Sequence, residues 1–164
     1  MHTTTAVIVG VLFATAAALY IEPVALLVGR RSVVELVHIV AGLSLGVPML
    51  VGLLLSPELR ADVRALDRMT RADRQWLRRR DRRTAGLLTG KFNSGQKLAA
   101  AVMAGAGLVL FGTGLLLIAP VRLDLPNRVR EGATIVHDLF TFGLLVLLLG
   151  HVVMAVRHPE GGTA

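Results

Sequence analysis

Residues 133 to 156 read ATIVHDLFTFGLLVLLLGHVVMAV, an almost unbroken apolar run that carries two histidines, His137 and His151. The hydrocarbon core of a bilayer is crossed by about 20 apolar residues in a helix, so this stretch predicts a membrane span. Working outward from it, three further stretches have the same character, running roughly from Thr5 to Val28, Val33 to Leu55 and Leu98 to Val121. Glu22 and Pro23 interrupt the first. Its helix is expected to end near Ile21, because the residue before a proline disfavours helical geometry. A short interfacial segment, Pro23 to Val28, then follows, since a carboxylate is costly at the bilayer centre. The predicted fold is an all-α, four-helix transmembrane bundle forming one membrane domain over residues 1–164, with spans at about 5–21 or 5–28, 33–55, 98–121 and 133–156.

Composition agrees. A chain of 164 residues with 54% hydrophobic and 18% charged residues is too apolar for a soluble domain of that length. It has no cysteine, which excludes disulfides, thiolate zinc sites, c-type haem attachment and cysteine-ligated iron–sulfur clusters. A metal must therefore be held through histidine, methionine or oxygen. The net charge of +7 is segregated: the polar stretch Ser56 to Lys97 holds 12 of the 18 lysines and arginines, among them Arg78, Arg79, Arg80, Arg82 and Arg83, against five acids. The positive-inside rule makes this loop, 56–97, cytoplasmic and puts both termini on the same side. The links Gly29 to Ser32 and Arg122 to Gly132 then face outward, although they hold five arginines of their own. With Trp76 as its one tryptophan and no recognition motif, the basic loop reads as solvated or headgroup-facing, not as a nucleic-acid surface. Leu59, Val63, Leu66 and Met69 recur within it at helical spacing, which predicts an amphipathic helix on the membrane surface. The small residues Ala16, Ala17 and Ala18 resemble a signal-peptide cleavage site, but no basic residue precedes the apolar run and more membrane protein follows, so the first span is expected to be retained. The pair Gly42 and Gly46 and the set Gly105, Gly107, Gly112 and Gly114 suit close helix packing, or room for a flat macrocycle, or both.

Ionisable groups inside spans are expensive and are usually functional. His137 and His151 lie fourteen residues apart on the fourth span, which returns them to nearly the same helix face at different leaflets, about 21 Å apart along the axis. His38 lies near the outer start of the second span and His137 near the outer start of the fourth, so the two fall at similar depth. Two imidazoles from facing helices at one depth is the geometry of bis-histidine haem ligation. His151 sits toward the cytoplasmic end of its span, where the only histidine of the first helix is His2. His158, between Arg157 and Pro159, reads as a solvated terminal residue without a role.

Before the third span stands Gly90-Lys91-Phe92-Asn93-Ser94-Gly95-Gln96-Lys97. With His38, His137 and His151, this segment resembles the G-K-[YF]-N-x-G-Q-K segment of the cytochrome b (gamma) subunit of respiratory formate dehydrogenases, within the wider group of bacterial cytochrome b561 and hydrogenase-type cytochromes b. The resemblance implies that His38 and His137 ligate an outer haem b. It implies that His151 and a histidine opening the first helix, here His2, ligate an inner one. It places Asn93, Gly95 and Gln96 beside a quinone pocket, where the amides suit a quinone carbonyl and Lys91 and Lys97 put positive charge where a reduced quinone takes up protons. A structural reading stands beside this one, with Lys91 and Lys97 as interfacial anchors and Asn93 as the N-cap of the third helix. At the amino terminus the chain departs from the family, because His2 directly follows Met1. The expectation there is an upstream start or an inner haem that is loose or absent.

The function expected from the resemblance is a di-haem membrane subunit in the bacterial cytoplasmic membrane. It would take electrons from an iron–sulfur subunit attached to a molybdenum- or tungsten-containing dehydrogenase outside and pass them to menaquinone or ubiquinone. Such assemblies are expected to form symmetric copies. The chain has no nucleophile or acid–base pair of its own, so it is expected to transfer electrons and not to oxidise the primary substrate. Two other readings stay open: a subunit serving a hydrogenase or another dehydrogenase, and a haem-free anchor or small metal transporter. Met49, Met69, Met103 and Met154 show no clustering that would support copper transport.

Overall fold

The computed structural model of the chain describes residues 2–78, 91–119 and 125–157. Arg79, Arg80, Arg82 and Arg83 of the basic run, Gly90 of the motif segment, positions 122–124 of the link before the fourth span and His158 lie outside the described residues. Among the described residues the chain is helical throughout, without strands. In order the helices are α1 (His2–Tyr20), α2 (Glu22–Val28), α3 (Arg31–Ser44), α4 (Gly46–Leu55), α5 (Pro57–Asp67), α6 (Arg71–Arg78), α7 (Ser94–Ile118) and α8 (Asn127–Arg157). Among the described residues four segments have the length and apolarity to cross a membrane: His2–Tyr20, Arg31–Leu55, Ser94–Ile118 and Asn127–Arg157.

Burial is inverted relative to a water-soluble protein. Ala106 and Ala133 are the buried hydrophobic residues among those described, whereas Leu27 is 86% and Leu54 78% exposed. The residues fully withdrawn from solvent include Asp73 and Ser94. An apolar exterior of this extent is stable only against lipid tails.

Two compact units make up the chain, Met1–Leu55 with Leu110–Asp138, and Ser56–Val109 with Leu139–Ala164. In the first, α1 packs against α3, with Leu12 Cδ2 3.8 Å from where a Cβ on Gly42 would lie. The expected break after the first span is present. Ile21 is extended (φ −92°, ψ 106°) and Pro23 sits in the first turn of α2, where its missing N–H leaves no bond unmade. Gly29 closes α2 in the left-handed region at φ 64°, its N–H reaching the Ala25 carbonyl at 3.3 Å.

The second span, expected as one helix, is divided at Leu45, whose N–H bonds back to the Gly42 carbonyl at 3.3 Å. Pro48 accounts for the division, because it lacks the N–H that would reach Ser44 and its ring crowds that carbonyl. Two arginines of the short links between spans have a local use. Arg31 donates to the Leu19 carbonyl near the end of α1 and Arg130 to the Ala119 carbonyl just past α7, each at 3.3 Å. Cations are favoured at helix C-termini, so these two arginines serve the helices, which is why they blur a simple count of loop charge.

In the second unit the predicted amphipathic helix appears as α5, which includes Leu59, Val63 and Leu66, while Met69 falls after its end. Ser56 caps it by accepting from the Leu59 N–H at 3.1 Å, and Pro57 occupies its first turn. Helix α7 begins at Ser94 and α8 at Asn127, both ahead of the predicted 98 and 133. Hydropathy marks only the apolar part of a helix; the polar first turns of these two are held by a cap on α7 and, on α8, by the Val129 N–H bonding the Pro126 carbonyl at 2.8 Å.

Candidate functional site

Within the first unit, α3 and α8 bring His38 and His137 together. Their ring centres are 6.4 Å apart and the ring planes meet at 67°. Both side chains are half-buried. Each Nδ1 is engaged by a threonine from a different helix: Thr15 Oγ1 of α1 lies 2.8 Å from Nδ1 of His38, and Thr113 Oγ1 of α7 lies 2.9 Å from Nδ1 of His137. Gly114 follows directly, and a Cβ placed on it would stand 3.6 Å from Cε1 of His137. The four helices α1, α3, α7 and α8 thus each contribute a side chain to one imidazole pair.

The separation has a simple metric. An imidazole nitrogen binds a metal at about 2 Å, and the ring centre lies ~1 Å behind that nitrogen, so two rings in line on one ion have centres about 6 Å apart. The pair matches. Among the described residues no group of three or more histidine, aspartate or glutamate side chains converges that could hold a metal ion. Two imidazoles alone under-coordinate a bare ion, whereas a porphyrin supplies four equatorial nitrogens and asks the protein only for axial ligands. The donor set therefore fits haem.

His2 opens α1 in the first unit, and His151 lies on α8 in the second. Both are exposed.

The motif segment of the second unit is built into a polar latch that the sequence reading did not identify. Asn93 and Gln96 form a reciprocal capping box at the start of α7: the Gln96 N–H donates to Asn93 Oδ1 and the Asn93 N–H to Gln96 Oε1, each at 2.9 Å. The structural reading of Asn93 as a cap is thereby correct. Lys91 Nζ pairs with Asp62 of α5 at 2.7 Å. Lys97 Nζ pairs with buried Asp73 of α6 at 2.8 Å and donates to the Arg68 carbonyl at 3.0 Å. Asp73 also accepts from Ser94 Oγ at 2.9 Å and from the N–H and Oγ1 of Thr70, both at 2.7 Å. Burial raises the Asp73 pKa, but the bonds from Lys97, Thr70 and Ser94 outweigh it and hold the carboxyl well below the usual carboxylate range. Gly95 faces Trp76: a Cβ there would meet Asn93 Oδ1 at 3.2 Å and Trp76 Cη2 at 3.3 Å.

Asp73, Thr15 and Thr113 went unmarked in the sequence, and Ser94 and Trp76 were named there without these contacts. A legible signal existed for one of them, since Thr70-Arg71-Ala72-Asp73 has capping-box spacing ahead of a helix. The threonines had none, because a single hydroxyl in an apolar helix can also satisfy itself on its own backbone.

Four membrane-length helices among the described residues, two of them bringing a pair of imidazoles together, are the features of a multi-pass membrane protein. The whole chain, residues 1–164, matches the family model of prokaryotic cytochrome b561, and the chain belongs to that family. It is a membrane cytochrome b of electron transfer. Neither the curated proteins nor the solved structures contain a match to it.

Proposed function

We propose that this protein is the haem-carrying membrane subunit of a respiratory oxidoreductase of the formate dehydrogenase type, with His38 and His137 as axial ligands of one haem b. The observation that carries the reading is the 6.4 Å separation of the two rings, each with its Nδ1 on a threonine. When bound, haem supplies a one-electron couple inside the low-dielectric span. The protein's own part is to hold two imidazoles at the right separation, to exclude water with the surrounding apolar helices, and to set the couple's potential through ligand basicity and burial.

The rest of the proposal rests on the resemblance and on charge. His151 and His2 are carried forward as ligands of a second haem. The termini and the basic loop are placed on the cytoplasmic face of the inner membrane. Electrons come from an iron–sulfur subunit bearing a molybdenum- or tungsten-containing dehydrogenase and go to menaquinone or ubiquinone near Lys91, Asn93, Gly95, Gln96 and Lys97. The reduced quinone takes its protons from the cytoplasmic side. Because these five residues are engaged with protein partners, their role in this reading is to shape and charge the rim of the quinone site. An apolar groove of about 320 Å³ in the same unit, lined by Val102, Ala106, Leu139, Phe140, Gly143, Leu144 and Leu147, suits an isoprenoid tail.

The test is to isolate the protein from haem-replete native membranes with complexes intact. A reduced-minus-oxidised spectrum with a b-type band, together with copurifying iron–sulfur and molybdenum- or tungsten-containing subunits, is the expected result. A colourless preparation rejects the reading of the histidines. A coloured one with hydrogenase subunits replaces the formate-type donor.

A further inference from the structure

We infer that Thr15 and Thr113 are positioning residues for the two axial ligands, fixing the tautomer of His38 and His137 so that Nε2 of each carries the lone pair that binds iron. The inference rests on the reading of these histidines as ligands and goes beyond it to residues that set how they bind.

The argument is one of hydrogen-bond direction. Thr15 Oγ1 lies 2.7 Å from the Val11 carbonyl oxygen and 3.0 Å from that of Leu12. Carbonyl oxygens only accept, and two of them lie within reach of the single hydroxyl proton of Thr15, so that proton is assigned to its own helix. At 2.8 Å from Nδ1 of His38 the hydroxyl therefore presents a lone pair, and the ring must be the donor. Nδ1 then carries the hydrogen and Nε2 does not, because which nitrogen of a histidine is metallated follows from the bond the other one makes. Thr113 repeats the arrangement on the other side: its hydroxyl donates to the Leu110 carbonyl at 3.2 Å and stands 2.9 Å from Nδ1 of His137.

Each contact also joins two helices, α1 to α3 and α7 to α8, over 23 and 24 residues of chain. Neither ring can turn about its Cβ–Cγ bond without losing its threonine. An Nδ1–H that donates makes the imidazole a more basic ligand. The ferric state, with its higher charge, gains more from that than the ferrous state, so the threonine pair holds the midpoint potential down.

The experiment uses the full-length protein with Thr15→Val, Thr113→Val, the double substitution, and Thr15→Ser and Thr113→Ser. Nitrogen-15 NMR of histidine-labelled wild-type protein prepared without haem is expected to show His38 and His137, assigned with His38→Gln and His137→Gln, protonated at Nδ1. The valine variants are expected to shift toward Nε2 protonation and to bind haem about tenfold more weakly. Their potential is expected to rise, by about 59 mV for each tenfold by which ferric affinity falls more than ferrous. Serine is expected to restore both. The nitrogen spectrum is read on the wild type, so it decides even where a valine variant fails to accumulate. Nε2-protonated rings in that spectrum, or valine variants of haem-loaded protein at the wild-type potential, overturn this inference alone. A wild-type protein that takes up no haem overturns the ligand reading and this inference together.

Discussion

Lys97 Nζ stands 2.8 Å from Asp73 Oδ2, with the lysine side chain 7% exposed and the aspartate closed to solvent. The pair ties the first turn of α7 to α6, and Ser94 and Thr70 complete the carboxylate's shell. Removing one member leaves the other charged and buried. Breaking such a pair costs about 3 kcal/mol, so Lys97→Met and Asp73→Ala are each expected to lower the thermal unfolding midpoint in detergent, while the two changes together cost less than their sum. Additive losses in that double-mutant cycle would contradict a direct coupling.

The same pair gives a pH dependence with a definite sign. The folded carboxyl of Asp73 titrates below its ordinary value of 3.8, so folding favours its ionised form. The stabilisation it contributes is fully present above that value and is lost as pH falls through the folded pKa. Wild-type protein is expected to lose stability more steeply than Asp73→Asn on acidification below pH 3.8, and parallel curves would refute the assignment.

Gly95 is the tightest of the described glycines. Alanine in a helix is worth up to about 1 kcal/mol over glycine, but its Cβ would press on Asn93 Oδ1 at 3.2 Å and on the Trp76 ring at 3.3 Å. Overpacking costs about 1–3 kcal/mol, and the first turn of a helix realises only part of the propensity gain. Gly95→Ala is therefore expected to destabilise by about 1 kcal/mol and to change Trp76 fluorescence; a stabilised variant would show that the contact yields freely.

For the imidazole pair, His38→Gln and His137→Gln are each expected to remove the same b-type haem, measured as pyridine haemochrome per protein. Equal losses from the two positions mark a shared iron. A variant that keeps full haem content would separate the rings.

Gly114 sets a graded test of space. At 3.6 Å from Cε1 of His137 an added methyl makes ordinary contact, so Gly114→Ala is expected to retain haem within about a factor of two. Gly114→Leu extends past that contact into the ring and is expected to lower haem content severalfold; intact binding in the leucine variant would place the ring elsewhere.

The membrane character of this chain could be read directly, because hydropathy sums over some 20 residues and survives errors of a few positions at each end. That is how four spans were visible, and why the polar first turns of α7 and α8 were not; the break before Pro23 was legible in the proline and α5 in the spacing of its apolar residues. The division at Leu45 is not a matter of hydropathy, which runs unbroken through the second span, but of Pro48, a signal the sequence carries as plainly as Pro23. The histidines were conspicuous for the opposite reason, each being a polar group in an apolar run. Asp73 and Lys97 were hidden among eighteen cations and eleven acids, where charge alone does not tell a buried pair from a solvated one.

What the amino-acid sequence determined by itself was how many times the chain crosses, and which polar residues the crossings carry. What only tertiary structure decided was that the rings of His38 and His137 come within 6.4 Å, that Thr15 and Thr113 stand at their Nδ1 atoms, and that the motif segment fastens a loop. The physical reason is that span and polarity are sums over local residues. A contact between helices depends on the rotation and axial slide of each, and both are set by packing against neighbours distant in the chain.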